Sequence, residues 1–270
     1  MVANASKIML KWCSYCQDFI GEVPDYENLD ISHGICWECR PKTPSFSTTD
    51  FERARLLKGI QRKLFVAGQR NDLNAAEAII ADAAETGIKP VNVLIGTVAP
   101  LLYRVGEDWK RGTLSVEEEH RFTAFCERTY YLVAENADFG TSMNSLRASD
   151  AQDTEFLLLN APGNRHTLAI RILALALASR GMRARIADGP VDPDELVATI
   201  DALRPGALLV SMALAEQSSG VVTITQRVES LPKAMRPKII VGGYAVKLGL
   251  VSHIPGAVLM PDISALFAMP

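Results

Sequence analysis

Four cysteines near the start of this 270-residue chain fall into two pairs, Cys13 with Cys16 and Cys36 with Cys39, separated by nineteen residues. Two C-x2-C pairs at that distance form the pattern of a tetrahedral zinc site, in which thiolates supply all four ligands. A redox-active thiol pair is the other chemistry open to C-x2-C, and it requires a depressed thiol pKa. Farther along, the loop Asn160-Ala-Pro-Gly-Asn-Arg-His166 brings one imidazole to the start of a helical stretch, beside a glycine that lets a large flat ligand approach the backbone. It is not a dinucleotide fingerprint, because G-x-G-x-x-G is absent. Between these places stand Trp109 and, after nine intervening residues, the dipeptide Glu119-His120. Taken singly, each has a plain structural reading: the loop histidine as a solvated cap, Trp109 as a half-buried staple between helices, Glu119-His120 as part of an acidic first turn. Cys126 reads as a small core residue and His253 as a surface side chain.

The elements that must position these residues change character along the chain. Residues 1–45 crowd turn formers such as Gly21, Pro24, Asp25 and Gly34 between the cysteine pairs and cannot fill a core alone, so metal binding is expected to supply folding free energy. Residues 46–139 turn helical. Phe51, Leu56, Leu57, Ile60 and Leu64 recur near the helical period behind the caps Ser47, Thr48, Thr49 and Asp50. A second helix is predicted from Asp72 to Thr86, ended by Gly87, and a third from Pro90 to about Gly106, kinked at Pro100. A fourth opens near Ser115, with Glu118 completing a capping box, which makes a four-helix bundle. Polar residues 140–153 read as a linker. From 154 to 270 short apolar runs alternate with helical stretches, the pattern of a parallel, Rossmann-like α/β sheet covered on both faces. Ligands of such sheets sit beyond the carboxyl ends of the strands, which directs attention to the His166 loop, to Ser211 and to Gly242-Gly243.

Composition narrows the class. Hydrophobic residues make up 48% of the chain and charged residues 22%, as in a globular protein, and the formal net charge is -3. The most apolar run, 168–178, is interrupted by Arg171 and falls short of the roughly 20 residues a membrane span requires. No secretory signal is read in the first residues, so a cytoplasmic location and reduced thiols are expected.

The stretch from Leu101 to His120, with Trp109, the nine-residue spacing and Glu119-His120, resembles the helical cap of the cobalamin-dependent photoreceptors, the CarH-like family. The resemblance covers about residues 50–265 and includes the order of the domains. It implies a helical bundle over a cobalamin, with adenosylcobalamin as the expected form, held by a Rossmann-like domain. Trp109 matches the residue that shields the upper face of the cofactor, and Glu119 and His120 match the pair beside it, the histidine approaching cobalt once light has broken the cobalt-carbon bond. His166 matches the lower axial cobalt ligand of the family's E/D-x-H-x-x-G motif. Ser211, Gly242 and Gly243 match positions that accommodate the displaced nucleotide tail. The motif itself departs: Asn164 stands in place of the acid and Ala169 in place of the final glycine. A carboxylate fixes an imidazole and raises its basicity toward a metal, whereas an amide only orients it, so cobalt ligation is expected to be weaker. Haem, held by the same histidine, stays open as the alternative cofactor.

The resemblance implies a light-responsive sensor and not an enzyme. The family's DNA-binding members carry a basic winged-helix domain before the bundle. Here that position holds the cysteine module, in which four basic residues face six acidic ones, whereas phosphate neutralisation needs a basic excess. Trp12-Cys-Ser-Tyr-Cys16 and Cys36-Trp-Glu-Cys39 resemble the small cysteine motif attached to bacterial histidine kinases and sensory proteins. The expected partner is therefore a protein, such as a transcriptional repressor or a kinase, or a second copy of the chain, with no direct nucleic-acid contact and no membrane. A haem-based redox or gas sensor, a corrinoid methyl carrier and a scaffold without cofactor are the rival functions.

Overall fold

Leu10 and Trp12 are buried on either side of exposed Lys11, the two-residue period of a strand with one covered face. They lie on β1 (Met9–Cys13), which pairs antiparallel with β2 (Phe19–Val23) and parallel with β3 (Asp30–Gly34), giving the order β2-β1-β3. This description comes from a computed structural model of the chain, in which residues 9–23, 29–42, 49–135, 154–187, 192–263 and 266 are described. The chain divides into two compact units, Met1–Thr141 and Ser142–Pro270. The expected linker 140–153 and the expected caps Ser47 and Thr48 lie outside the described residues.

The first unit joins the cysteine module to helices α1 (Thr49–Arg70), α2 (Leu73–Glu85), α3 (Pro90–Val93), α4 (Ala99–Lys110) and α5 (Val116–Glu135). Local chemistry sets their ends. Asp72 caps α2 by accepting the Ala75 N–H at 3.0 Å. Ahead of α5, Glu118 accepts the Ser115 N–H at 2.8 Å while Ser115 Oγ accepts the Glu118 N–H at 3.2 Å, the capping box that the sequence predicts. The Ser115 backbone and hydroxyl donors hold the Glu118 carboxyl below the usual carboxylate range. The third predicted helix differs from expectation. It does not end near Gly106 but runs to Lys110, and a π-helical turn, Leu94–Val98, joins α3 to α4. Pro100 falls in the first turn of α4, immediately after that wider turn, where a missing N–H is best tolerated.

A core of its own was not expected for the cysteine module, yet Leu10, Trp12 and Phe19 are 0%, 0% and 2% exposed. The helices supply the cover. The Trp12 and Phe19 rings meet edge to face, with centroids 5.5 Å apart, directly over Gly96 in the π turn.

The second unit is a parallel sheet in the order β5-β4-β6-β7-β8, made of β4 (Phe156–Asn160), β5 (Ala184–Ile186), β6 (Ala207–Ser211), β7 (Lys238–Gly242) and β8 (Val258–Leu259). Both faces are covered, so alternate residues of one strand enter different cores. Leu157, Leu208 and Val241 pack with α7 (Pro193–Leu203) and α8 (Ser218–Glu229), while Leu158, Leu209 and Ile240 pack with α6 (Thr167–Ala178). The near-continuous apolar strands follow from this double burial. The strand order reverses between β4 and β6, the point beyond whose carboxyl ends ligands of such sheets bind. Among the described residues no helix is long and apolar enough to cross a membrane.

Gly243, which opens the short helix α9 (Tyr244–Lys247), has φ +97°, and a Cβ there would stand 2.5 Å from the Met212 carbonyl oxygen. Gly243→Ala is expected to destabilise the protein by roughly 2–4 kcal/mol, from left-handed strain together with backbone collision. Urea unfolding checks this, and a loss below about 0.5 kcal/mol, the scale of ordinary surface substitutions, would contradict it.

Candidate functional site

Three residues that sequence reasoning singled out stand side by side at the carboxyl edge of the sheet. Asn160 of β4 is in register with Ser211 of β6, and Ser211 with Gly242 of β7. The loop after β4 folds back over this edge. The Ser211 carbonyl accepts the Ala161 N–H at 2.9 Å and Asn164 Nδ2 at 2.9 Å. Asn164 is 9% exposed, and its Oδ1 accepts the His166 backbone N–H at 3.0 Å. The amide is thus used at both ends, as donor to β6 and as acceptor from the backbone that begins α6. It does not reach the imidazole through these bonds. His166 itself is exposed, at the N-cap of α6, and its ring makes no capping hydrogen bond. Gly163 turns the loop at φ +82°, and a Cβ there would meet no atom within 4 Å, so the loop is open at that turn. An accessible imidazole, an open turn and a strand-end crevice fit a flat, histidine-liganded cofactor.

The glycines at positions 242 and 243 have a reason within the chain. A Cβ on Gly243 would strike the Met212 backbone, and one on Gly242 would stand 3.1 Å from the Met260 carbonyl oxygen. Their identity therefore follows from close approach of neighbouring strand ends. Gln217, which sequence reasoning missed, fixes the adjoining loop: its Oε1 accepts the Ala213 and Leu214 N–H groups at 2.9 and 3.1 Å. Its only signal in the sequence is an amide immediately before a run of small and β-branched residues, too common a pattern to single it out.

In the helical unit Trp109 lies in the last turn of α4, and Glu119 and His120 lie in the first turns of α5, so one helical hairpin carries all three at the same end. Trp109 is 45% exposed, an unusual state for a large aromatic side chain. His120 is exposed, with Nε2 3.5 Å from Glu119 Oε2, and Glu119 Oε1 accepts the Thr123 hydroxyl at 2.8 Å. The plain reading of Glu119-His120 as an exposed first turn is thus only partly met, because Glu119 is half-buried and oriented by Thr123. Cys126 is buried, as expected of a core residue, and burial pushes its thiol pKa up. His253 is exposed.

The four N-terminal cysteines come together. The sulfur atoms of Cys13, Cys16, Cys36 and Cys39 all lie within 4.8 Å of one another, and those of Cys16 and Cys36 are 3.6 Å apart. Tetrahedral zinc, with bonds of about 2.3 Å, places its sulfurs about 3.8 Å apart, so the donor set fits the ion. Burial works against charge on Cys13, but the backbone N–H groups of Cys36, Cys16 and Tyr15 together outweigh it and bring that thiol to about 7. Such donors favour the thiolate form at Cys13, whereas burial pushes the Cys16 and Cys39 thiols up, the latter to about 11.

Two family models, each described as a B12 binding domain, match the chain, one over residues 60–130 and the other over 154–249. The first covers the helices from α1 into α5, and the second covers β4 to β7 of the sheet. The chain belongs to the B12-binding family, with the helical domain preceding the sheet domain. Among curated proteins, the HTH-type transcriptional repressor CarH of Myxococcus xanthus is 24% identical over 169 residues, which are 62% of this chain and 52% of that protein. The chain thus spans about half the length of this relative. Among solved structures, the Methanosarcina barkeri monomethylamine corrinoid protein is similar in fold, with a TM-score of 0.60 at 14% identity over 75% of this chain and 92% of that one.

Asn164→Asp restores the acid that the motif lacks but sets a carboxylate oxygen against the Ser211 carbonyl. It is expected to cost at least as much stability as Asn164→Ala, about 1–3 kcal/mol, and not to tighten cobalamin binding. Urea unfolding and spectrophotometric titration of both variants test this. Tighter binding by the aspartate variant would show that the amide has a different role.

Proposed function

We propose that this chain is a cobalamin-binding, light-responsive sensor of the cytoplasm that regulates transcription through a protein partner, a repressor or a kinase, and that it is not an enzyme. The observation that carries the reading is an exposed imidazole at the strand-end crevice of one B12 binding domain, in a chain whose other B12 binding domain presents Trp109, Glu119 and His120 on one hairpin. His166 is assigned to the lower side of the cobalt. Trp109 is assigned to cover the upper face, with Glu119 orienting His120 beside it. Ser211, Gly242 and Gly243 are assigned to the region of the nucleotide tail, where their task is to keep the strand ends close. Bound adenosylcobalamin would supply a cobalt–carbon bond that light breaks. Changed packing around Trp109 then alters the surface offered to a partner or a second copy.

Action through a protein is supported by the acidic excess of the N-terminal module, which suits phosphate poorly. The same module is assigned a zinc ion on Cys13, Cys16, Cys36 and Cys39, supported by the mutual approach of their sulfurs.

A second reading, a corrinoid methyl carrier, is favoured by the fold similarity to the monomethylamine corrinoid protein. Methyl uptake from a methyl donor and its delivery to an acceptor would establish it.

Reconstitution with adenosylcobalamin in the dark, followed by anaerobic illumination, is expected to change both the absorption spectrum and the size or partner binding of the protein. An unchanged spectrum would sink the light response, and a Soret band that survives cobalamin addition would point to haem. His166→Ala is expected to alter the spectrum after illumination and to weaken cobalamin binding by about 10- to 100-fold, the effect typical of losing support at a metal. An unchanged affinity would remove His166 from the site.

A further inference from the structure

The segment from Trp12 to Phe19 carries two of the four clustered thiols, and Trp12, Gln17, Asp18 and Phe19 within it contact the helices. Trp12, next to Cys13, and Phe19 close on Gly96 so tightly that a Cβ there would stand 2.4 Å from Trp12 Cζ2 and 2.6 Å from Phe19 Cδ2. Gln17, next to Cys16, donates Nε2–H to the Thr86 carbonyl at 2.9 Å. Asp18 accepts Asn92 Nδ2 at 2.7 Å and pairs with Lys89 at 3.1 Å. Helix contacts therefore flank the two thiols on both sides within eight residues. Gly96 lies in the π turn, which continues without interruption into α4 and so to Trp109 in its last turn.

We propose that metal occupancy of the four-cysteine cluster holds this π turn in place and thereby sets helix α4 and Trp109. The cysteine module is then an input to the cofactor-binding helices. The inference rests on reading the four thiols as a zinc site. With the ion bound, the 12–19 segment is tied to Cys36 and Cys39. Without it that tie is gone, and the two rings stay over Gly96 only by packing, by the Gln17 and Asp18 bonds and by the pairing of β1 with β3. A π turn is the natural place for such an input to act, since its extra residue can be absorbed by a change of hydrogen-bond register.

The test uses the full chain without cobalamin. Zinc is first counted, with one ion per chain expected. Segment-resolved hydrogen exchange is then measured before chelation, after it, and after zinc is restored. Chelation is expected to speed exchange by about tenfold or more in residues 94–110 as well as in 9–42, reversibly, while the sheet unit is unchanged. Acceleration confined to residues 9–42 in a zinc-loaded protein would overturn the coupling and leave the zinc reading standing. A chain that neither carries nor takes up one zinc would overturn both. Gly96→Ala separates the links further: it is expected to keep its zinc but to show fast exchange at 94–110 before chelation, and slow exchange there would refute the contact as the link. Should that variant fail to fold, chelation of the unaltered chain decides alone.

Discussion

The Ser211 carbonyl oxygen, which accepts one N–H from Ala161 and one from the Asn164 side chain, fixes the place on which the sheet unit's chemistry depends. A parallel sheet with helices on both faces leaves its strand-end loops without an internal scaffold. At the β4–β6 reversal this double acceptance supplies one. The loop is pinned to the neighbouring strand, the backbone N–H of His166 at the N-cap of the following helix is satisfied by the same amide, and the His166 ring is left accessible. A side chain that must both donate and accept cannot be a carboxylate. The absence of the motif's acid is thus compatible with an ordered loop, and the imidazole must find any second-nitrogen partner elsewhere or in solvent.

Much of the architecture was legible because its signals are local. The alternation of short apolar runs with helical stretches announced the parallel sheet, since its central strands are buried on both faces and read as continuous hydrophobicity. The Ser115–Glu118 box and the Asp72 cap were legible for the same reason: donor and acceptor sit three residues apart. The cysteine spacing announced a cluster of four thiols, and they do converge.

What escaped the sequence was set by residues distant along the chain. The small sheet's alternation, Leu10-Lys11-Trp12, is three residues long, and its cover comes from Gly96 more than eighty positions later. Gly96 gave no sign that a ring would lie on it. Asn164 was noticed only as a departure from a motif, whereas its donor bond to Ser211 spans 47 positions. Pro100 suggested a kink, but the structure resolves the strain through the turn before it, a choice that depends on the neighbours against which residues 94–98 are buried. The two B12 binding domain matches begin at residue 60, so the cysteine module lies outside both although it shares a core with the helices of the first.

The π turn also fixes a phase. Each residue in an α-helix advances the side-chain direction by about 100°, and a π turn accommodates one residue more than an α turn does. The face on which α4 presents Trp109 is therefore set by the length of the 90–110 segment as much as by its composition. A one-residue deletion within 94–98 that left the wider winding in place would turn α4 as a whole, Trp109 and its apolar residues together, by about a quarter-turn around the axis. Residue count in this stretch is thus part of the aim of the helix, and insertions or deletions there carry more weight than substitutions.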